Sequence, residues 1–228
     1  NWAANKLNVQ EPFPTQIWTH LNGSKNVIIE KSAGPGYYGT NEFRFNVVEG
    51  ISLRKGEAIY FEIVGWVNET TPIMPPHNVA NTNLTEIKQQ YGDTINYTYG
   101  CPAGTHRMYV YKIMQFNEDG VGLDLPWHQV VQRCQELGLP TVPVLAGPIA
   151  YNQLVSGIMT KEETLRCLVE GYADGPSTLN PKQIREGIVV RAESSVGTSY
   201  LKSKSFSFGV LEGYLAEKDD FVDPEDVA

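Results

Sequence analysis

Two long stretches rich in β-branched and aromatic residues, EAIYFEIVGWV at 57–67 and HRMYVYKIMQF at 106–116, constrain this chain more than any other feature. Such side chains suit a pleated, half-buried surface and lose rotamer freedom in a helix, so both runs predict strands. Each meets strong punctuation. Pro72, Pro75 and Pro76 end regular structure after the first, and NEDG at 117–120 forms a hairpin-type turn from which VGLDL returns after the second. Shorter strand candidates are NVIIEK at 26–31, before the Gly- and Pro-rich loop AGPGYYG, and FRFNVVEG at 43–50, which alternates for a few residues. Near the other end IREGIVVRAE predicts a strand, and YLKSKSFSFGVLEGYLAEK begins as a strand and turns helical.

Helical periodicity enters between these runs. After Pro126, WHQVVQRCQELG sets Trp127, Val130, Val131, Cys134 and Leu137 at three-and-four spacing and stops at Gly138, which predicts an amphipathic helix with His128 on its wet side. A second helix is expected from Thr160 to Glu170, with Thr160 as N-cap and Glu163 in capping-box position. The stretch from His77 to Gly100 is rich in Asn, Thr and Gln and carries one helical turn at TEIKQQYG, so it reads as a surface excursion. Antiparallel hairpins with inserted helices predict an α+β domain rather than a doubly wound parallel sheet. A single domain is expected over residues 1–216, with 217–228 as an acidic, solvated tail.

Charge limits what this domain does. A net charge of −8 and a pI near 5.0 exclude a protein that coats nucleic acid by bulk positive charge, although a local basic site is compatible with them. Cys101, Cys134 and Cys167 match no zinc-ligand spacing and predict reduced thiols in a cytosol-like compartment. His20, His77, His106 and His128 have no metal-ligand spacing either, and Trp66 and Trp127 read as packing residues. No run is apolar for the length of a bilayer span, so no membrane partner is expected and a cytoplasmic location is. Four N-x-S/T tripeptides, at Asn22, Asn68, Asn83 and Asn96, arise readily by chance in a chain this rich in Asn and Thr.

Lys202 and Lys204 stand two apart on a predicted strand, which puts both ammonium groups on one face. Two cations are not buried together unpaired, so that face is either wet or covered by something anionic. Leu201, Ser203, Ser205 and Ser207 fall on the other face by the same alternation. Some fifteen residues earlier, Glu186 precedes Gly187 and the run Ile188, Val189, Val190, closed by Arg191. A carboxylate opening a buried strand, followed by a glycine that permits close backbone approach, suits a metal or ribose site.

Together REGIVVR and LKSKSFSF resemble motifs IV and V of the covalent nucleotidyltransferases, the superfamily of DNA ligases, RNA ligases and mRNA capping enzymes. Glu62 in IYFEIVG resembles the motif III glutamate, with Phe61 where a small residue is usual. Tyr111 in MYVYKI resembles the motif IIIa aromatic, although it alternates with Tyr109 and is equally readable as core, and Ser24–Lys25 in NGSKNVI resembles motif Ia. The segments GYYGTNEFRF, PIMP, YGDTINYTYGC and PWHQVVQRCQELG look like one group of RNA ligases that includes phage-borne examples.

The resemblance implies an antiparallel-sheet adenylation fold and an ATP-dependent RNA ligase that activates a 5′-phosphate end through a lysyl-AMP intermediate and joins it to a 3′-hydroxyl. It implies that Lys202 and Lys204 contact the α-phosphate, that Glu186 holds Mg²⁺ or Mn²⁺, and that Glu62 takes a ribose hydroxyl or orients the lysine. Tyr111 would stack on adenine, Lys25 would contact phosphate and Arg191 would support the site. The partners would be ATP and RNA ends, an RNA–DNA hybrid nick among them, met by a monomer. Motif I is the departure. Its lysine is followed three residues later by glycine and ordinarily precedes motif Ia, but nothing from Asn1 to Ser24 matches. The nucleophile is then expected upstream of Asn1, or at Lys31 in EKSAG, or the chain is a binding module of the same fold that has lost it.

Overall fold

The structure is a computed structural model that describes residues 19–24, 27–30, 34, 36–79, 85–154 and 159–213. In chain order its elements are β1 (Asn22–Gly23), β2 (Ile28–Ile29), α1 (Glu42–Asn46), β3 (Glu57–Gly65), β4 (His77–Asn78), α2 (Thr85–Tyr91), β5 (Thr94–Ile95), β6 (His106–Phe116), β7 (Gly122–Asp124), α3 (Trp127–Leu137), α4 (Lys161–Ala173), β8 (Gly187–Ser194), β9 (Gly197–Lys204) and α5 (Phe206–Leu211), with a 3₁₀ turn at Tyr151–Leu154. The strands form a three-stranded sheet in the order β3–β6–β7 and three two-stranded pairs, β1–β2, β4–β5 and β8–β9, all antiparallel. The expected α+β architecture is the one observed.

The predicted strand 106–116 is β6 to the residue, and the hairpin after it closes through Asn117 N to Val121 O at 3.0 Å. Along β3, Ile59 and Phe61 point to one face and meet Met108, Val110 and Ile113 of β6 and Val130 and Cys134 of α3 in a dry cluster. Glu57 shares that parity. Its carboxylate lies in a bidentate pair with Arg133 of α3, Nε–Oε1 2.7 Å and Nη2–Oε2 2.9 Å, which clamps the helix to the start of the strand. Gly138 ends α3 at φ +69°, the left-handed position for which glycine pays no Cβ penalty. Helix α4 carries the expected reciprocal capping box, with Glu163 N donating to Thr160 Oγ1 (3.2 Å) and Thr160 N donating to Glu163 Oε2 (2.8 Å).

Three expectations are corrected. Residues 43–50 are not a strand: Glu42–Asn46 form one helical turn, begun by Glu42 N donating to Thr40 Oγ1 at 3.1 Å. Phe43 and Val47 fit both periods, and packing decides for the helix, since Phe43 is buried edge-on to Tyr38 and His106 while Val47 joins the β3–β6–α3 core. Residues 77–100 are a surface excursion only in part: α2 buries no residue, but the segments either side of it are docked. Val79, Ile95 and Tyr97 are almost completely buried and build a second core with Ile184 and Phe208. Polar composition misleads there because three well-placed apolar residues in a long polar stretch suffice to dock it. Finally, β9 ends at Lys204, so Ser205 and Ser207 do not continue its outer face. Ser205 instead caps α5, its Oγ accepting from Phe208 N at 3.0 Å.

Lys25, Lys31 and the tail at 217–228 lie outside the described residues. Cys101, Cys134 and Cys167 are free thiols, as expected for reduced cysteines, and no helix among the described residues is long and apolar enough to cross a membrane.

Candidate active site

The site forms where the face of β3–β6 opposite α3 meets the open face of the β8–β9 hairpin. Register assigns the faces. In β8–β9 the directly opposed pairs Gly187↔Lys204, Val189↔Lys202 and Arg191↔Tyr200 share one face, so both lysines and Arg191 project together. In β3–β6 the pairs Tyr60↔Lys112 and Glu62↔Tyr109 share the face away from the core.

Glu186 stands one residue ahead of β8, and the glycine after it is structurally required. Gly187 has φ +149°, and a Cβ there would lie 2.2 Å from Ser203 O and 2.7 Å from Lys204 Cα. Only a bare backbone lets the two strands close at this point. Ser205 N donates to Glu186 O at 2.9 Å and completes the closure, which fixes Glu186 beside the end of β9. Arg185 supports it from behind by donating to Tyr172 O and, at 3.1 Å, to Pro176 O.

Glu186 keeps part of its surface open to solvent, yet the protein around its carboxyl desolvates it. That desolvation, followed by the nearby carboxylates of Glu212 and Glu62, pushes the carboxyl up to about 7 against the opposing pull of Lys202 and Lys204. Glu62 of β3, Lys202 and Lys204 of β9 and Glu212 just past α5 are thus each within electrostatic reach of Glu186. Glu62, Glu186, Lys202 and Lys204 were named from sequence and do come together, whereas Glu212, at the end of α5, was not foreseen.

The raised carboxyl has a consequence for stability. Between its ordinary 4.5 and about 7 the native state holds a proton that the unfolded chain has released. Glu186's contribution is therefore complete below that window and is lost as pH rises through it. The urea midpoint of wild type is expected to fall further below that of Glu186→Gln as pH goes from about 5 to about 8. A gap between the two that stays constant across this range would count against the assignment.

Tyr111 occupies a β-bulge. The β3–β6 register runs Tyr60↔Lys112 and then Phe61↔Val110, leaving Tyr111 as the extra residue. A bulge breaks the alternation that made Tyr111 and Tyr109 equivalent and re-aims its side chain. Tyr111 is 36% exposed, its ring is 6.4 Å from that of Tyr60, and burial followed by the charge of Glu62 raises its hydroxyl. Part of the ring is thus left open to solvent beside Glu62.

Arg191 is already engaged. It donates to Glu193 (2.7 Å), to Tyr200 Oη (2.7 Å) and to Leu125 O, while Tyr200 Oη donates to Asp124 Oδ2 at 2.9 Å. It ties the hairpin to the segment between β7 and α3, which is a supporting position. Lys112 belongs to the same junction: its ammonium is 5.2 Å from the rings of both Tyr60 and Tyr200 and 3.3 Å from Asp124. Sequence reasoning missed Tyr60, Lys112, Asp124 and Tyr200. Lys112 sits next to Tyr111 on one strand, but its partners appear only once the register is known.

A divalent cation finds a partial fit. Among the described residues no group of three His, Cys, Asp or Glu side chains is close enough to hold a metal ion. The Glu186 carboxyl nonetheless feels the carboxylates of Glu212 and Glu62, a repulsion that a bound cation would lessen. One or two carboxylates completed by water and phosphate oxygens is the usual Mg²⁺ arrangement.

Comparison with curated proteins and with solved structures finds no match for this chain. A family model described as RNA ligase matches residues 30–206, more than half of the chain, and that span contains Glu62, Tyr111, Glu186, Lys202 and Lys204. The chain belongs to the RNA ligase family.

Proposed function

We propose that this chain is the adenylation domain of an ATP-dependent RNA ligase, acting as a monomer in the cytoplasm on RNA ends. The observation that carries the reading is the convergence of Glu62 and Glu186 with Lys202 and Lys204, with the exposed Tyr111 ring electrostatically coupled to Glu62. In the first step a neutral lysine Nζ attacks the α-phosphorus of ATP. The P–O bond to pyrophosphate breaks, a P–N bond forms and the amine loses its proton. A 5′-phosphate oxygen then displaces the lysine from AMP, and a 3′-hydroxyl displaces AMP from the activated end. Each step gathers negative charge around phosphorus, so fixed cations and positioning supply most of the acceleration. Lys202 and Lys204 would meet the α-phosphate, Tyr111 would stack on adenine, and Glu62 would bind the ribose or orient the lysine. Lys25 would contact phosphate, and Arg191 holds the hairpin in place. Mg²⁺ or Mn²⁺ held by Glu186 would neutralise phosphate charge.

Lys31 is the nucleophile we favour. It is the one lysine in the sequence followed three residues later by glycine, and the family match begins one residue before it. Incubation with labelled ATP and Mg²⁺ or Mn²⁺, with any residues upstream of Asn1 restored, is expected to leave an acid-stable, amine-linked AMP that peptide mapping finds at Lys31. Lys31→Ala should reduce the adduct to background. An adduct on another lysine would reject Lys31 alone. ATP binding without any adduct would replace the enzyme reading with that of a binding module.

A further inference from the structure

Tyr99 is the one non-glycine residue with positive φ among the described residues, at φ +52°. It occupies, with Gly100 at φ +76°, the two central positions of a tight turn closed by Cys101 N donating to Thr98 O at 2.9 Å. That is the conformation in which glycine, asparagine or aspartate is preferred at both positions. An aromatic residue there is strained and persists only when its surroundings hold it.

The surroundings do hold it, from two directions. On one side Trp66 Nε1 donates to Cys101 O at 3.0 Å, pinning the turn to the end of β3. On the other, Tyr99 N donates to Oε1 of Gln183 at 3.0 Å, and Gln183 is completely buried three residues ahead of Glu186. Asn180 Nδ2 donates to the same oxygen at 3.3 Å, so the acceptor is itself fixed. The half-buried ring packs near Tyr97 of the second core, and the hydroxyl hydrogen-bonds to Glu186 Oε1. The turn is therefore strained, doubly anchored and aimed at one carboxylate of the site.

We infer that Tyr99 is a positioning residue: its hydroxyl donates to Glu186 Oε1 and fixes the carboxyl in the orientation needed to hold a divalent cation. Residues that orient a metal-binding group characteristically alter affinity for the metal by about ten- to a hundredfold when removed. The inference rests on the ligase reading for its use but not for its test. Binding of Mn²⁺ alone, followed by the electron paramagnetic resonance signal of the free ion, is compared in wild type, Tyr99→Phe and Glu186→Gln, with the adduct assay run alongside and thermal unfolding as the fold control.

Tyr99→Phe is expected to keep the thermal transition of wild type and to weaken Mn²⁺ binding about tenfold. It should raise the metal concentration for half-maximal adduct formation by the same factor, with near-normal yield at saturating metal. Equal Mn²⁺ affinity in wild type and Tyr99→Phe overturns the inference, as does a wild type that binds no Mn²⁺ or loses none of it in Glu186→Gln. Weaker binding in a chain that forms no adduct supports the inference while the ligase reading fails. If Tyr99→Phe unfolds early, Tyr99→Gly, which relieves the turn and also lacks the hydroxyl, takes its place, and the same Mn²⁺ comparison decides.

Discussion

Lys202→Ala is expected to slow formation of the enzyme–AMP adduct by about a hundred- to a thousandfold, measured in a single turnover with labelled ATP. Lys202 and Lys204 project from one face of β9 toward Glu186, and a charge fixed where negative charge develops is worth far more in a partly desolvated site than in water. Lys202 is exposed, so its removal should leave thermal unfolding almost unchanged and separate loss of catalysis from loss of fold. Lys202→Arg keeps the charge but changes its shape and reach, and it should recover part of the rate. Lys55→Ala, which removes an exposed lysine paired with Glu118 at the far end of β3 from Glu62, serves as the control. A normal rate in Lys202→Ala would remove the phosphate role assigned to this strand.

Arg133→Met is expected to lower the unfolding free energy by about 3–5 kcal/mol, because it strands the Glu57 carboxylate without its partner. That carboxylate is 2% exposed, is held by two bonds from Arg133 and one from Arg54 N at 2.8 Å, and lies on the core face of β3. Burial alone would raise it, but the hydrogen bonds from Arg133 and Arg54 and the charges of both arginines outweigh burial and hold it below the usual carboxylate range. The sign then follows. A depressed carboxyl contributes stability above its unfolded value of 4.5, and that stability is lost as pH falls through the lower native value. Urea titrations at neutral and acid pH should show the gap between wild type and Arg133→Met narrowing in acid. Removing both charges together, in Glu57→Gln with Arg133→Met, should cost less than the sum of the single changes. Additive losses would show that the pair is not coupled.

The two loci lie on opposite faces of β3, and this separation explains why the chain was partly readable from sequence. Glu57, Ile59 and Phe61 differ by one step of parity from Tyr60 and Glu62, and alternation alone predicts that core and site divide this way. The same rule sends Lys202 and Lys204 to one side of β9. Local chemistry was equally legible where a motif is self-contained. The capping box of α4 and the glycine stop of α3 each depend on residues within a few positions of one another.

Parity does not say which face meets which. The stretch 77–100 read as surface because its buried residues, Val79, Ile95 and Tyr97, follow no period, and their partners Ile184 and Phe208 lie about a hundred residues away. Misreading that stretch concealed Tyr99 and its contact with Glu186. The bulge that releases Tyr111 from the alternation of β6, and the stacking of Lys112 between Tyr60 and Tyr200, likewise exist only through pairing with other strands.

By itself, then, the sequence determined the strands and helices with strong periods, the faces of Glu62, Lys202 and Lys204, and the resemblance that the family match bears out. Tertiary structure alone decided that these faces converge, that Glu212 and Tyr99 join them, and that Glu186 holds its proton up to about 7. The reason is physical. Periodicity and capping are set by neighbours along the chain, whereas desolvation and charge coupling depend on distances between groups that the sequence keeps far apart.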